Sequence, residues 1–172
     1  IDIYQSNQVK KNIIFKKIDA VKYLIFSKKT FDLILIKQTI HFFKKKEINI
    51  LLNLAKNHLS KKGKIIVLSL ETKNNEFPFF KTMKKILNKR LKRDDQIIKI
   101  IKKNFIKYKK SNFKFKVSIS RNVYLKMIEK RYISSLIDVS KKEIKQGVSE
   151  IKSKYEKKLQ FNDTLNCLIY QN

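Results

Sequence analysis

A chain of 172 residues with 42% hydrophobic and 11% aromatic content fits one domain with a core of its own and is too apolar for a solvated, disordered polyelectrolyte. Its 42 basic residues against 14 acidic ones give a formal net charge of +28, which points to nucleic acid or an anionic membrane face as one class of partner. The single Cys167 excludes an internal disulfide, and no apolar run reaches the about 18 to 20 residues that cross a bilayer, so the expectation is a cytoplasmic chain without a transmembrane segment.

The charge divides unevenly between its two carriers. Arginine occurs only at Arg90, Arg93, Arg121 and Arg131, so lysine supplies the other 38 basic residues, whereas nucleic-acid sites favour the planar arginine fork. Ile, Lys and Asn, all encoded by codons rich in A and T, make up close to half of the chain. Two readings of the charge stay open: lysines drifting onto solvated faces in an AT-rich genome, or a dedicated polyanion surface.

In chain order, "NIIFKKID" at 12–19 and "FDLILI" at 31–36 read as two buried strands. "KEINILLNLAKNHLS" follows, with Ile48, Leu51, Leu52, Ala55 and Leu59 at helical spacing. Gly63 then reads as a helix stop, and 64–70 as a third strand. Beyond a loop holding Pro78, residues 81 to about 109 form a basic helical pattern. Phe113, Phe115, Val117 and Ile119 alternate with Lys and Ser as a half-buried strand. "NVYLKMIEKRYISSL" is expected to be a helix, and Ser140 with Glu143 has the spacing of a capping box opening another. "LQFNDTLNCLIYQ" closes the chain as a strand. Strands separated by helices imply an α/β fold with a parallel or mixed sheet, helices on both faces and an antiparallel pair at one edge.

Ligands of such sheets bind beyond the carboxyl ends of the strands. The polar residues at those ends are Asp2, Asp19, Lys37, Gln38 and Glu71. An acid there accepts hydrogen bonds from both hydroxyls of a bound ribose, and Asp2 is the candidate, the alternative being a solvated loop acid.

The ordered set "IDI" at 1–3, "NIIFKKIDA" at 12–20, "TFDLILIKQTIHFF" at 30–43, "LSKKGKIIVLSL" at 59–70 and "EKRYISSLIDVSKKEIKQGVSEI" at 129–151, with "FNDTLNCLIYQ" as last strand, resembles the class I S-adenosylmethionine-dependent methyltransferases, in particular the methyltransferase type 11 and trans-aconitate methyltransferase groups. The resemblance covers nearly the whole chain, as one methyltransferase domain over 1–172. It implies a Rossmann-like sheet whose last strand is antiparallel, S-adenosylmethionine as cofactor and a small-molecule substrate. By position it implies that Asp2 holds the cofactor's ribose, that Asp19 and Ala20 meet its adenine, and that Lys37 and Gln38 lie along its methionine part.

The chain departs from that pattern in two places. A glycine-rich turn after the first strand, where absent side chains let the backbone approach the cofactor, is missing; only Gly63 and Gly147 occur. With "IDIYQ" at its start and no initiator methionine, the expectation is an N-terminally truncated chain whose first strand and glycine turn precede Ile1. The strand-end tetrapeptide Asn/Asp-Pro-Pro-Tyr/Phe of relatives that methylate nucleic-acid amino groups is replaced by "KQTIHF", which makes nucleic acid the less favoured partner.

A histidine titrates in the range useful to proton removal from an acceptor. His41 is therefore a candidate general base or substrate-lining residue, with a packed or capping histidine as the alternative. His58 reads as a cation at a helix C-terminus. Arg131 is a candidate partner for an acidic substrate, against an exposed helix arginine. The alternatives to an enzyme are a nonenzymatic basic module that binds polyanions and a degenerate methyltransferase fragment.

Overall fold

The computed structural model describes Ile14, residues 16–73 and residues 75–172. Four strands form one mixed sheet: β1 (Phe31–Lys37), β2 (Leu59–Leu70), β3 (Tyr108–Ser120) and β4 (Lys158–Gln171), in the spatial order β1-β2-β4-β3. β1 and β2 are parallel, and β4 runs antiparallel to both β2 and β3. The last strand is therefore the one that opposes the other three, inserted between two strands that precede it. This is the α/β, Rossmann-like arrangement expected from the sequence.

The helices are α1 (Ala20–Phe26), α2 (Lys45–Asn57), α3 (Lys81–Asn104), α4 (Arg121–Glu129) and α5 (Lys141–Lys154), with short 3₁₀ turns at Ile40–Phe42 and Ser134–Leu136. Period and register place them. Ile36, Ile65, Val67 and Leu168 share one face of the sheet through the pairs Ile36↔Val67 and Val67↔Leu168. That face packs on Ile48, Leu52 and Ala55 of α2 and on Ile97 and Ile101 of α3. On the other face, toward the carboxyl ends of β1 and β2, a second core joins Leu159 of β4 to Met83 and Leu87 of α3, Leu125 and Ile128 of α4, and Val148 and Ile151 of α5. At about 1.5–3 kcal/mol per fully buried aliphatic or aromatic side chain, these two cores hold the helices on the sheet, and the 24-residue α3 belongs to both.

Capping sets several helix starts. Ser140 accepts from the Glu143 N–H while the Glu143 side chain accepts from the Ser140 N–H, the reciprocal box expected from the spacing. The Glu143 carboxyl is held below the usual range by its hydrogen bonds from Ser140. Glu47 likewise accepts from the Lys44 N–H at 2.7 Å, and Ser120 from the Val123 N–H.

The structure corrects five expectations. The described residues of the expected strand at 12–19, Ile14 and Lys16–Asp19, carry no strand, and Ile14 is 81% exposed. Asp19 instead begins α1, a helix not anticipated: its carboxylate accepts from the Lys22 N–H at 2.9 Å, which fixes the chain ahead of it in a cap. Gly63 is not a helix stop but lies inside β2, which starts at Leu59, and α2 ends at Asn57. A Cβ on Gly63 would stand 2.8 Å from the Phe31 oxygen, so the residue permits close approach of β2 to an irregularity in the β1 register between Phe31 and Leu33. α3 ends at Asn104, five residues short of the expected end, because Tyr108–Lys110 pair with β4, and Ile106 is left 90% exposed. α4 ends at Glu129, since Arg131 takes a left-handed backbone with φ 53° that no α-helix continues through. β3 is an edge strand whose Phe113 and Phe115 are more exposed than a half-buried strand would leave them, at 52% and 59%.

Candidate functional site

The run "IKQTIHF" leaves the sheet at the carboxyl end of β1. The Gln38 N–H donates to the Leu68 oxygen at 2.8 Å, one residue past the end of the strand. Gln38 then takes φ 53°, a conformation that costs a non-glycine residue of order 1 kcal/mol and persists only where its surroundings impose it. This turn throws the chain into the 3₁₀ turn Ile40–Phe42, whose Ile40 is buried at 1% exposure and anchors it in the first core. His41 is left half-buried beyond the ends of β1 and β2.

Two other segments meet His41, and a third joins the face of α3 beside it. From α3, Arg93 donates through Nη2 to the His41 carbonyl oxygen, fixing the backbone that carries the imidazole. From the 3₁₀ turn Ser134–Leu136, the Ser134 hydroxyl lies 3.3 Å from Nε2 of His41. From the loop after β2, Thr72 Oγ1 donates to Oδ2 of Asp94 at 3.4 Å, a long contact. Arg90, Arg93 and Asp94 stand at i, i+3 and i+4 on α3 and so share one face. The Phe42 ring lies 4.2 Å from the imidazole, centroid to centroid.

The electrostatics follow from this crowding. Burial, and then the charges of Arg90 and Arg93, hold the His41 imidazole below its ordinary pKa, so at neutral pH the ring is the free base. Burial raises the Asp94 carboxyl from its ordinary pKa, against the opposing hydrogen bond from Thr72 and the arginine charges. The cluster thus offers one proton-accepting nitrogen beside two guanidiniums and a weakened carboxylate.

Of the residues singled out in the sequence, Lys37 and Gln38 stand with His41 at this carboxyl edge; Lys37 is exposed, paired with Leu68 in the register. Glu71 follows β2 and accepts from the Lys73 N–H at 3.0 Å. Asp19 and Ala20 are exposed at the start of α1, with the Asp19 carboxylate engaged as its cap. Asp2 lies outside the described residues. Arg131 donates from Nε to the Leu136 oxygen at 3.1 Å and from Nη2 to the Val139 oxygen at 2.7 Å. One edge of its fork is therefore committed to closing the loop that presents Ser134 to His41. His58 stands at the C-terminus of α2, the position read from the sequence, where its backbone N–H caps the helix and its ring nitrogen donates to the Lys29 oxygen at 2.7 Å.

Sequence reasoning missed Arg90, Arg93, Asp94, Thr72 and Ser134. Only the first pair left a signal: two arginines within one turn of a helix otherwise rich in lysine. The lysines of the first turns of α3 line a different surface, a shallow outer groove of Lys81, Lys84, Lys85 and Lys89 with Asn88. Among the described residues no group of three or more His, Cys, Asp or Glu is placed to hold a metal, and no helix is long and apolar enough to cross a membrane.

No family model matches the sequence, and no curated protein matches it. Among solved structures, the chain is similar to Haemonchus contortus phosphoethanolamine N-methyltransferase 2 in complex with phosphomonomethylethanolamine and S-adenosylhomocysteine, at 20% identity and a TM-score of 0.44. The match covers 90% of this chain and 36% of that one, so the chain spans about a third of the length of the structure it matches.

Proposed function

We propose that this protein transfers a methyl group from S-adenosylmethionine to a small-molecule acceptor. The observation that carries the reading is the sheet: the ordered segments that resemble class I methyltransferases imply a last strand antiparallel to the rest, and β4 is the last strand and opposes β1, β2 and β3. Support also comes from the polar run Lys37–His41, which leaves the sheet at the carboxyl edge where ligands of such folds bind.

The described residues fit the cofactor at two of its ends. Ala20 is the first residue of α1, where a backbone N–H has no acceptor within the helix, and Asp19 beside it is exposed with one carboxylate oxygen outside the cap bond; these two would meet the adenine. Gln38 and Lys37 would lie along the methionine part. No glycine turn is found among the described residues, since Gly63 and Gly147 are both packed inside elements. The cofactor, when bound, supplies an electrophilic methyl on a sulfonium.

The chain's own residues then have defined tasks. Displacement at a methyl group needs the acceptor aligned and water kept out, which would fall to the turn Ile40–Phe42 and the loop 131–139 that meets it. His41, as free base, would take the acceptor's proton at Nε2, the atom that faces the Ser134 hydroxyl. Arg93 holds the His41 backbone still, and Arg131 holds Ser134 in reach. Calorimetric titration with S-adenosylmethionine tests the reading. Binding with a dissociation constant of about 100 μM or tighter, worth roughly 5.5 kcal/mol, is the expected result; no heat up to millimolar cofactor overturns it.

A further inference from the structure

We infer that Arg90, assisted by Arg93, forms a subsite for the anionic group of the acceptor, so that the substrate is an acidic small molecule carrying a carboxylate or a phosphate beside the atom that faces His41. This rests on the methyl-transfer reading for the word substrate, and on this chain's own residues for the anion.

The chain uses arginine sparingly. It carries 38 lysines and four arginines, and lysine already provides positive charge wherever charge alone is needed. What arginine adds is a planar fork that grips two acceptors at once. Arg121 spends one nitrogen, Nη1, on both the Lys152 and Tyr155 oxygens, at 2.7 and 2.6 Å. Arg131 uses the fork on the Leu136 and Val139 oxygens, and Arg93 reaches the His41 oxygen. Arg90 is half-buried, and no hydrogen bond joins its guanidinium to a described residue. The arginine with no hydrogen-bond acceptor among the described residues thus stands in the cluster that contains the candidate base.

The surroundings of Arg90 favour an anion as well. Arg90 and Arg93 are one helical turn apart on the side of α3 that meets the turn carrying His41. The groups near His41 are these two cations from α3 and the Ser134 hydroxyl from the loop after α4, with Asp94 beside the arginines on the same face of the helix. Asp94 is the competitor for Arg90, but its carboxyl already accepts from Thr72 and burial disfavours its charge. Two guanidiniums, a neutral imidazole and a weakened carboxylate leave the cluster positive, and an anion placed there returns it toward neutrality. Lysine-lined surfaces elsewhere, such as the outer groove of α3, offer charge without this fork.

The chain has two histidines, His41 and His58, so imidazole resonances report on the subsite and on a control at once. The probe is sulfate, whose charge is constant through the histidine range, compared with chloride at matched ionic strength. An anion at Arg90 favours the imidazolium of His41, so sulfate is expected to raise the His41 pKa by about half a unit or more beyond any rise at His58. Arg90→Gln is expected to abolish the difference and Arg90→Lys to retain less than half of it, with the His58 resonance unchanged as the check on folding. Equal shifts of the two histidines in the unaltered protein overturn the subsite, as does an undiminished difference in Arg90→Gln. Cofactor binding without a sulfate response removes the subsite alone. A sulfate response without cofactor binding supports the subsite and removes the methyl-transfer reading.

Discussion

Gly147 lies on the face of α5 that meets Phe80, and the pair gives the most sharply defined stability prediction. An alanine Cβ at 147 would stand 2.5, 2.6 and 2.7 Å from three atoms of the Phe80 ring. Ordinary helix physics predicts stabilisation by Gly147→Ala, since alanine is better than glycine inside a helix by about 1 kcal/mol. Packing predicts the reverse. Phe80 is 2% exposed among Met83, Tyr124 and the other buried residues of the second core, so the ring has no free space to move into, and overpacking costs about 1–3 kcal/mol. The steric cost is the larger of the two here because three ring atoms are met, not the tip of a flexible chain. The net expectation is a loss of about 1–2 kcal/mol, or roughly 4 °C in Tm for a domain of this size. Urea unfolding of the variant measures it. In a Phe80→Leu background the same change should become neutral or stabilising, a coupling of about 2 kcal/mol. A Gly147→Ala protein as stable as the parent refutes the packing argument.

Three further outcomes are expected. His41 has a folded-state pKa below its unfolded value, so the unfolded chain binds more protons in the window from that depressed value up to about 6.5; stability is complete above the window and falls as pH drops through it. His41→Gln should flatten this slope in pH-dependent thermal melts, and an unchanged slope would refute the assignment. Arg131→Lys leaves one of two backbone carbonyls without its donor and should cost about 1 kcal/mol while weakening the Ser134–His41 contact; the loss of stability is read by urea unfolding, and wild-type stability would count against the loop-closing role. Tyr124→Phe removes the buried hydroxyl that donates to the Pro78 oxygen, stranding that acceptor at a cost of about 1–3 kcal/mol, again read by urea unfolding. The same burial pushes the Tyr124 hydroxyl well above its ordinary pKa, so its absorbance should not titrate with the exposed tyrosines.

What was legible in the sequence is what local chemistry decides. The period of α2, the capping box at Ser140 and the apolar last strand were readable because each is written within a few residues and agrees with the packing. Gly63 was misread because a glycine after a helical pattern looks like a stop; its actual reason, the nearness of the Phe31 oxygen, lies 32 positions back in the chain. The run at 12–19 has strand-like residues, yet Asp19 also satisfies a helix cap, and the short α1 buries only Leu24, too little for a periodic signal. His41 was found because a polar residue at a strand exit stands out against the apolar run before it. Its neighbours Arg90 and Arg93 were not, since on a helix read only as basic and amphipathic nothing local says which polar face turns inward.

The position of β4 has a consequence for how the chain comes to be folded. The strand that joins β2 to β3 is synthesised after both, across register pairs as distant as Lys64 and Gln171. While it emerges from the ribosome, β2 and β3 have no hydrogen-bonded connection, and the apolar residues at 65–70 and 113–119 wait with unpaired backbone edges. High sequence separation of this kind slows folding and prolongs exposure to aggregation. For this protein the vulnerable interval ends only when Lys158–Gln171 slides into the gap, and its excess of like charge is then what keeps unfinished chains apart.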